Sequence, residues 1–157
     1  RGLGDVYKRQ LYSVAPGLEQ VVNTLEAEWL ATASKRKGKW GVEPFNGYIT
    51  GLDGRPVRIA SRHAILVYTL QSDEAIMMQY ALCFLYDWLK ERGWEHGREY
   101  GFVANVHDEI QAEVREDLAE EYAELACKAI VYAGEYLNIQ CPHKGEYDIG
   151  ENWYETH

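Results

Sequence analysis

The chain has 157 residues, 46% of them hydrophobic and 26% charged, which suits one globular domain with a real core. No apolar run approaches the roughly 20 residues needed to span a bilayer, so no membrane partner is expected, and no secretory signal is visible. The net charge of -9 argues at first against a nucleic-acid partner.

The distribution of charge matters more than its sum. Residues 1–62 hold ten Lys and Arg against six Asp and Glu, and residues 63–157 hold six against nineteen. Contacts to phosphate are expected from the first part, while the acidic part calls for a solvated face or a metal site. The three cysteines, Cys83, Cys127 and Cys141, form no CxxC pair, which predicts reduced, buried thiols in a cytoplasmic setting.

Residues 1–10 fit no element that follows. They resemble translated adapter sequence and are expected to be non-native, with the true protein extending further upstream. Residues 16–36 predict a helix, because Leu18, Val21, Val22, Leu25 and Trp29 recur at helical spacing. Pro16 suits its first turn, and Lys35, Arg36 and Lys37 suit the negative end of its dipole. Residues 47–60 predict a hairpin, with Asp53-Gly54 as a turn whose two residues both tolerate positive φ. A long helix is expected over 62–92, with one stripe of Ile76, Tyr80, Phe84 and Trp88 beside another of Met77, Ala81, Leu85 and Leu89. Gly93 would stop it. Residues 100–114 predict a second hairpin whose return strand alternates Ile110, Ala112 and Val114 against Gln111 and Glu113. Asp117 is expected to cap a last helix, with Glu120 completing a capping box and Leu118, Tyr122, Leu125, Ala129 and Tyr132 on its buried face. An aromatic, polar tail follows. The order is α+β with an antiparallel sheet packed against long helices.

The sharpest chemical feature is Val106-His107-Asp108-Glu109-Ile110. Two adjacent carboxylates are predicted at the tip of a tight hairpin, held by apolar strands. Mg²⁺ prefers such hard oxygen ligands and takes only one or two carboxylates from a protein. Asp and Glu are also ordinary turn residues in water, so the pentapeptide alone leaves both readings open. Cys141-Pro142-His143 lacks a second ligand pair at zinc spacing. The run Glu113, Glu116, Asp117, Glu120, Glu121 and Glu124 reads as a solvated face, and the Tyr and Trp stripes read as core. The basic run at residues 35–39 reads equally as a solvated helix end or a phosphate contact.

Residues 102–111 resemble motif C of the family A, DNA-polymerase-I-type DNA polymerases: an apolar residue, His-Asp-Glu, then another apolar residue. Upstream, Gly51-Leu52-Asp53-Gly54-Arg55, Ser61-Arg62-His63-Ala64 and Leu70-Gln71-Ser72 resemble the replicative polymerases of certain phages. Asn152-Trp153 followed shortly by His157 resembles the chain end shared by that family. These matches run in order over residues 47–157, whereas residues 11–46 match only loosely. Glu109 favours a DNA polymerase over the related single-subunit RNA polymerases, which place Ser after His-Asp.

The resemblance implies a fragment of a right-hand polymerase fold. Residues 11–46 would border the fingers, and residues 47–157 would form the C-terminal part of the palm. It implies that Asp108 ligates two catalytic Mg²⁺ ions, that Glu109 supports the metal site, and that His107 lies near the terminal primer phosphate. Gln71 would reach the minor groove, with His63 and Arg62 near the DNA backbone. The implied partners are primer–template DNA and deoxynucleoside triphosphates. Val67 departs from the family, which usually places Asn there, and so loses one polar contact. The second metal carboxylate, the fingers helix, the thumb and any exonuclease are missing from residues 11–157, so the fragment is expected to be inert. Two rivals stay open: a small metal-dependent nuclease using Asp108 and Glu109, and a non-catalytic interaction module.

Overall fold

The computed structural model describes residues 12–38 and 41–156, so the expectation for residues 1–10 lies outside the described residues. The chain is α+β, with short antiparallel strand pairs and long helices. It divides into two compact units, Arg1–Ser72 and Asp73–His157.

In the first unit the helical pattern folds as α1, Leu18–Thr32. Gly17, at φ 94, precedes it, so Pro16 stands outside the first turn where it was expected. Of the predicted stripe, Trp29 is fully buried, while Val21 is 51% exposed. The helix ends earlier than its sequence suggests. Ala33 turns extended, and Ser34–Gly38 (β1) pairs antiparallel with Gly41–Phe45 (β2). Lys35, Arg36 and Lys37 therefore lie on a strand rather than a helix end. The strand gives Arg36 partners that a last helical turn lacks. It stands opposite Glu43, with its guanidinium 5.2 Å from the Phe45 ring centroid.

The hairpin at residues 47–60 forms as Gly47–Thr50 (β3) and Pro56–Ile59 (β4). Its turn differs from the expected Asp-Gly form. Only Gly54 takes positive φ, at 85°, and the loop closes through Gly54 N–H to Gly51 O at 2.9 Å and Gly51 N–H to Arg55 O at 2.8 Å. Five loop residues leave room for an ordinary turn followed by a left-handed glycine, so Asp53 need not leave negative φ. Asp53 instead accepts from Arg55 Nε at 2.9 Å, and this guanidinium lowers the Asp53 pKa.

Helix α1 grips this hairpin with side chains. Trp29 Nε1 donates to Ile59 O at 2.9 Å. Thr32 Oγ1 accepts from Tyr48 N–H at 2.7 Å and donates to Tyr48 O at 3.0 Å. Glu28 Oε1 accepts both the N–H and the hydroxyl of Thr50 at 2.6 Å. Trp29, Ile49, Ile59 and Ile65 form the small core beneath. Full burial of side chains of this size contributes about 1.5–3 kcal/mol each.

A short 3₁₀ turn, Arg62–Ala64, leads into α2, Ile65–Glu91, which begins in the first unit and ends in the second. Within the second unit Ala81, Leu85 and Leu89 are fully buried and Met77 nearly so. They meet Tyr122, Leu125, Ala129 and Ala133 of α3, Ala119–Tyr136. The neighbouring stripe packs less deeply: Phe84 lies 4.7 Å from Tyr132 and 5.2 Å from Tyr136 between ring centroids. Tyr132, expected to be buried, is 42% exposed, because the deeper positions of α3 go to Ala129 and Ala133. Gly93 stops α2 as expected, at φ 76, with Trp94 N–H reaching Leu89 O and Gly93 N–H reaching Lys90 O. Asn138 ends α3 in the same way, at φ 55.

Tyr100–Val106 (β5) and Glu109–Val114 (β6) form the second hairpin, and Phe102, Ile110, Ala112 and Val114 pack on this core. The expected cap does not form. No side chain caps α3, because the 3₁₀ turn Glu116–Leu118 precedes it and Arg115 takes the Asp117 carboxylate at 2.6 and 3.0 Å. Glu120 instead accepts the Tyr147 hydroxyl at 2.8 Å, pinning the tail to α3. The acidic run from Glu113 to Glu124 is exposed, as expected of a solvated face. The three cysteines are free, but Cys83 and Cys141 are exposed and Cys127 half-buried, so the prediction of buried thiols fails. Cys83 lies on the solvent side of α2, one residue short of the packed aromatic stripe.

Two stability outcomes are expected. A Cβ at Gly47 would meet Trp29 O at 2.5 Å and its indole at 2.6 Å, whereas one at Gly101 meets nothing within 4 Å. In chemical denaturation, Gly47→Ala should cost about 1–3 kcal/mol, and Gly101→Ala should stay within about 0.5 kcal/mol. The Tyr122 hydroxyl is buried without a hydrogen-bond partner among the described residues, and that burial pushes its pKa up. Tyr122→Phe should therefore raise stability by about 1 kcal/mol in the same assay.

Candidate active site

The hairpin β5–β6 sets the geometry. Its rungs run from Tyr100↔Val114 to Val106↔Glu109, and one extra residue, Val103, stands between the rungs of Phe102 and Ala104. Without that bulge Val106 would face Asp108 and leave a single residue to turn the chain. With it, Val106 faces Glu109, and His107-Asp108 becomes a two-residue turn, the shortest common hairpin connection.

His107 has φ 55, while Asp108 is not among the positive-φ residues. Positive φ at the first turn position alone is the II′ pattern, in which glycine is the usual occupant. A histidine there stores on the order of 1–2 kcal/mol of backbone strain. Such strain collects at sites where a side chain is aimed for a purpose.

The turn presents His107 and Asp108 to solvent, whereas Glu109 is half-buried. The expectation of both carboxylates at the tip is thus half met. Asp108 occupies the turn, and Glu109 opens β6 on a paired rung. Glu109 Oε1 accepts a hydrogen bond from Gln111 Nε2, two residues along on the same strand face. That pair was legible in the strand alternation but was not singled out from sequence.

Asp108 and Glu109 border a cavity of about 300 Å³, with Tyr122 and Cys127 of α3 on one side and Tyr147 and Ile149 of the tail on another. Desolvation raises the Cys127 pKa, with Glu146 adding to the effect and Lys144 opposing it.

An exposed carboxylate on a short, braced turn fits the hard-oxygen chemistry of Mg²⁺, which completes its shell with water and substrate phosphate. Glu109, drawn toward Gln111, is the less open donor. Among the described residues no group of three or more His, Cys, Asp or Glu is placed to hold a metal, so the donor set here is partial.

The other predicted contacts lie in the first unit, at the entry to α2. Arg62 and His63 are in the 3₁₀ turn, and Gln71 is two helical turns further on; all three are exposed. Val67 between them is 53% exposed and apolar, as its sequence implies. Arg62 donates from Nη2 to Glu26 of α1, which raises the Arg62 pKa. Glu26 escaped the sequence reading because it lies 36 residues from its partner, with no local spacing to reveal the pair.

No protein-family model matches the chain. The DNA-directed DNA polymerase of Enterobacteria phage T3 is 33% identical over 157 residues, covering 98% of this chain and 22% of the phage protein. That of Escherichia phage T7 is 33% identical with the same coverage. DNA polymerase I of Pseudomonas aeruginosa is 30% identical over 101 residues, 64% of this chain and 10% of that protein. The chain thus spans about a fifth of the length of the phage relatives it matches. Similarity to phage polymerases along nearly the whole chain, and to a bacterial polymerase I over much of it, shows that this chain belongs to the family A, DNA-polymerase-I-type DNA polymerases.

Proposed function

We propose that this chain supplies one half of the metal-binding chemistry of a template-directed DNA polymerase, with Asp108 as the catalytic carboxylate. The observation that carries this reading is the exposed Asp108 on a bulge-built, two-residue turn in a chain related to phage DNA polymerases.

In the parent reaction the primer 3′-oxygen bonds to the α-phosphorus of a deoxynucleoside triphosphate. The bond from that phosphorus to the departing pyrophosphate breaks, and the hydroxyl proton is lost. Two Mg²⁺ ions, when bound, would offset the charge that develops on the attacking and leaving oxygens. This chain's part is to hold and orient. Asp108 offers its open carboxylate as a ligand, and Glu109, braced by Gln111, supports that site from the adjoining rung. His107 faces the terminal primer phosphate. Gln71 reads groups common to correct base pairs in the minor groove, while His63 and Arg62 contact the backbone. Val67 supplies no polar contact.

Residues 47–157 are assigned to the palm and residues 11–46 to the border of the fingers. Primer–template DNA and deoxynucleoside triphosphates are the partners, and the setting is the cytoplasm of a bacterial or phage-infected cell. The second carboxylate and the triphosphate-binding helix belong to sequence outside this chain. Catalysis by positioned charge fails when half the site is absent, so the chain alone is inert.

Two outcomes test this. The 157-residue chain, incubated with primer–template, Mg²⁺ and all four triphosphates, should show no extension on a sequencing gel. Templated extension by the chain alone would refute its incompleteness. In a polymerase with the upstream region restored, Asp108→Asn should lower kcat by at least about 10²-fold at saturating nucleotide and Mg²⁺. If the Asn variant kept most of the rate, Asp108 would be a structural turn residue and not a ligand.

A further inference from the structure

Arg62 is an exposed cation with an unusual anchor. Its partner Glu26 comes from α1, 36 residues upstream, and the two side chains differ in exposure, 58% for Arg62 and 20% for Glu26. The Glu26 side chain is thus the more covered of the two and the Arg62 side chain the more open. The anchor is also fixed in place. One turn after Glu26, Trp29 is fully buried and bonded to Ile59 O at 2.9 Å, and Ile59 lies three residues before Arg62. Glu28 and Thr32 bind the same helix to β3. Helix α1 thus holds Glu26 at a set position relative to the strand that delivers Arg62.

A guanidinium carries five donors in a planar fork and can serve two acceptors on different edges at once. We propose that Glu26 is a positioning residue for nucleic-acid binding: it orients the Arg62 guanidinium so that the solvent-facing edge meets a backbone phosphate. This inference rests on the reading that Arg62 contacts DNA, and it assigns Glu26 a role in that contact.

The sign of the expected effect separates the proposal from plain electrostatics. Glu26 is an anion, and removing an anion beside a polyanion strengthens binding if only charge counts. A positioning role predicts the reverse. Freed of its anchor, Arg62 must give up side-chain freedom to reach the phosphate, so affinity falls.

The test uses the 157-residue chain and a fluorescein-labelled primer–template duplex, with affinity read by anisotropy at several salt concentrations from about 20 mM upward. Amide NMR spectra confirm that each variant keeps the parent fold. Arg62→Ala should weaken binding and flatten the slope of log affinity against log salt by about 0.9, the loss of one phosphate contact. Glu26→Gln, nearly isosteric, should weaken binding roughly threefold or more and leave Arg62→Ala no worse when combined with it. Arg62→Lys keeps the charge but lacks the fork, and should also weaken binding. If Glu26→Gln binds as well as or better than the parent while Arg62→Ala binds worse, the positioning role is overturned and the Arg62 contact stands. If Arg62→Ala changes neither affinity nor slope, or the chain binds no duplex at the lowest salt, the underlying reading of Arg62 fails and the proposal falls with it.

Discussion

Strand β3 depends on a helix for the bonds that a sheet normally supplies. Paired with β4 on one side, it would leave the Tyr48 and Thr50 backbone groups open on the other. Thr32 and Glu28 of α1 satisfy them with side-chain oxygens, so the helix takes the place of a third strand. An unpaired edge is costly when buried and an invitation to aggregation when exposed. Most of the first unit follows from this arrangement. Trp29 can seal the core only because Gly47 has no side chain, and the hydrogen bond from its indole fixes the carbonyl end of β4. The chain then enters the Arg62–Ala64 turn at a defined place.

The second unit uses a different device. Its hairpin is aimed by a one-residue irregularity rather than by an external brace. The Val103 bulge changes the parity of β5, and that change decides which two residues turn the chain. The strain at His107 and the exposure of Asp108 both descend from it. A core of alanines, leucines and stacked rings beneath β6 keeps the turn from relaxing, because Ile110, Ala112 and Val114 are committed to that core.

Much of this was legible in the sequence. Periodicity located the long helix and its buried stripe of Ala81, Leu85 and Leu89, and alternation located the core face of β6. Gly93 marked the end of that helix, and the His107-Asp108 pair marked the turn of the second hairpin. What stayed hidden depended on partners remote in sequence or on competition between equal local choices. Lys35, Arg36 and Lys37 suit a helix end, and only the cross-strand Glu43 and Phe45 reveal the strand. Asp117 is a good capping residue, but Arg115 two positions back binds the same carboxylate. The bulge left no mark at all, since valine is as much at home in a regular strand as in an irregular one.

The chain passes from one compact unit to the other between Ser72 and Asp73, inside the continuous helix α2. Domains are usually joined by a loop that can be cut or lengthened at little cost. Here the join is itself a stretch of hydrogen-bonded helix. Dividing the chain at that point would strand up to four carbonyls on one side and four amides on the other. Neither unit can therefore be excised or permuted between residues 72 and 73 without leaving a raw helical end.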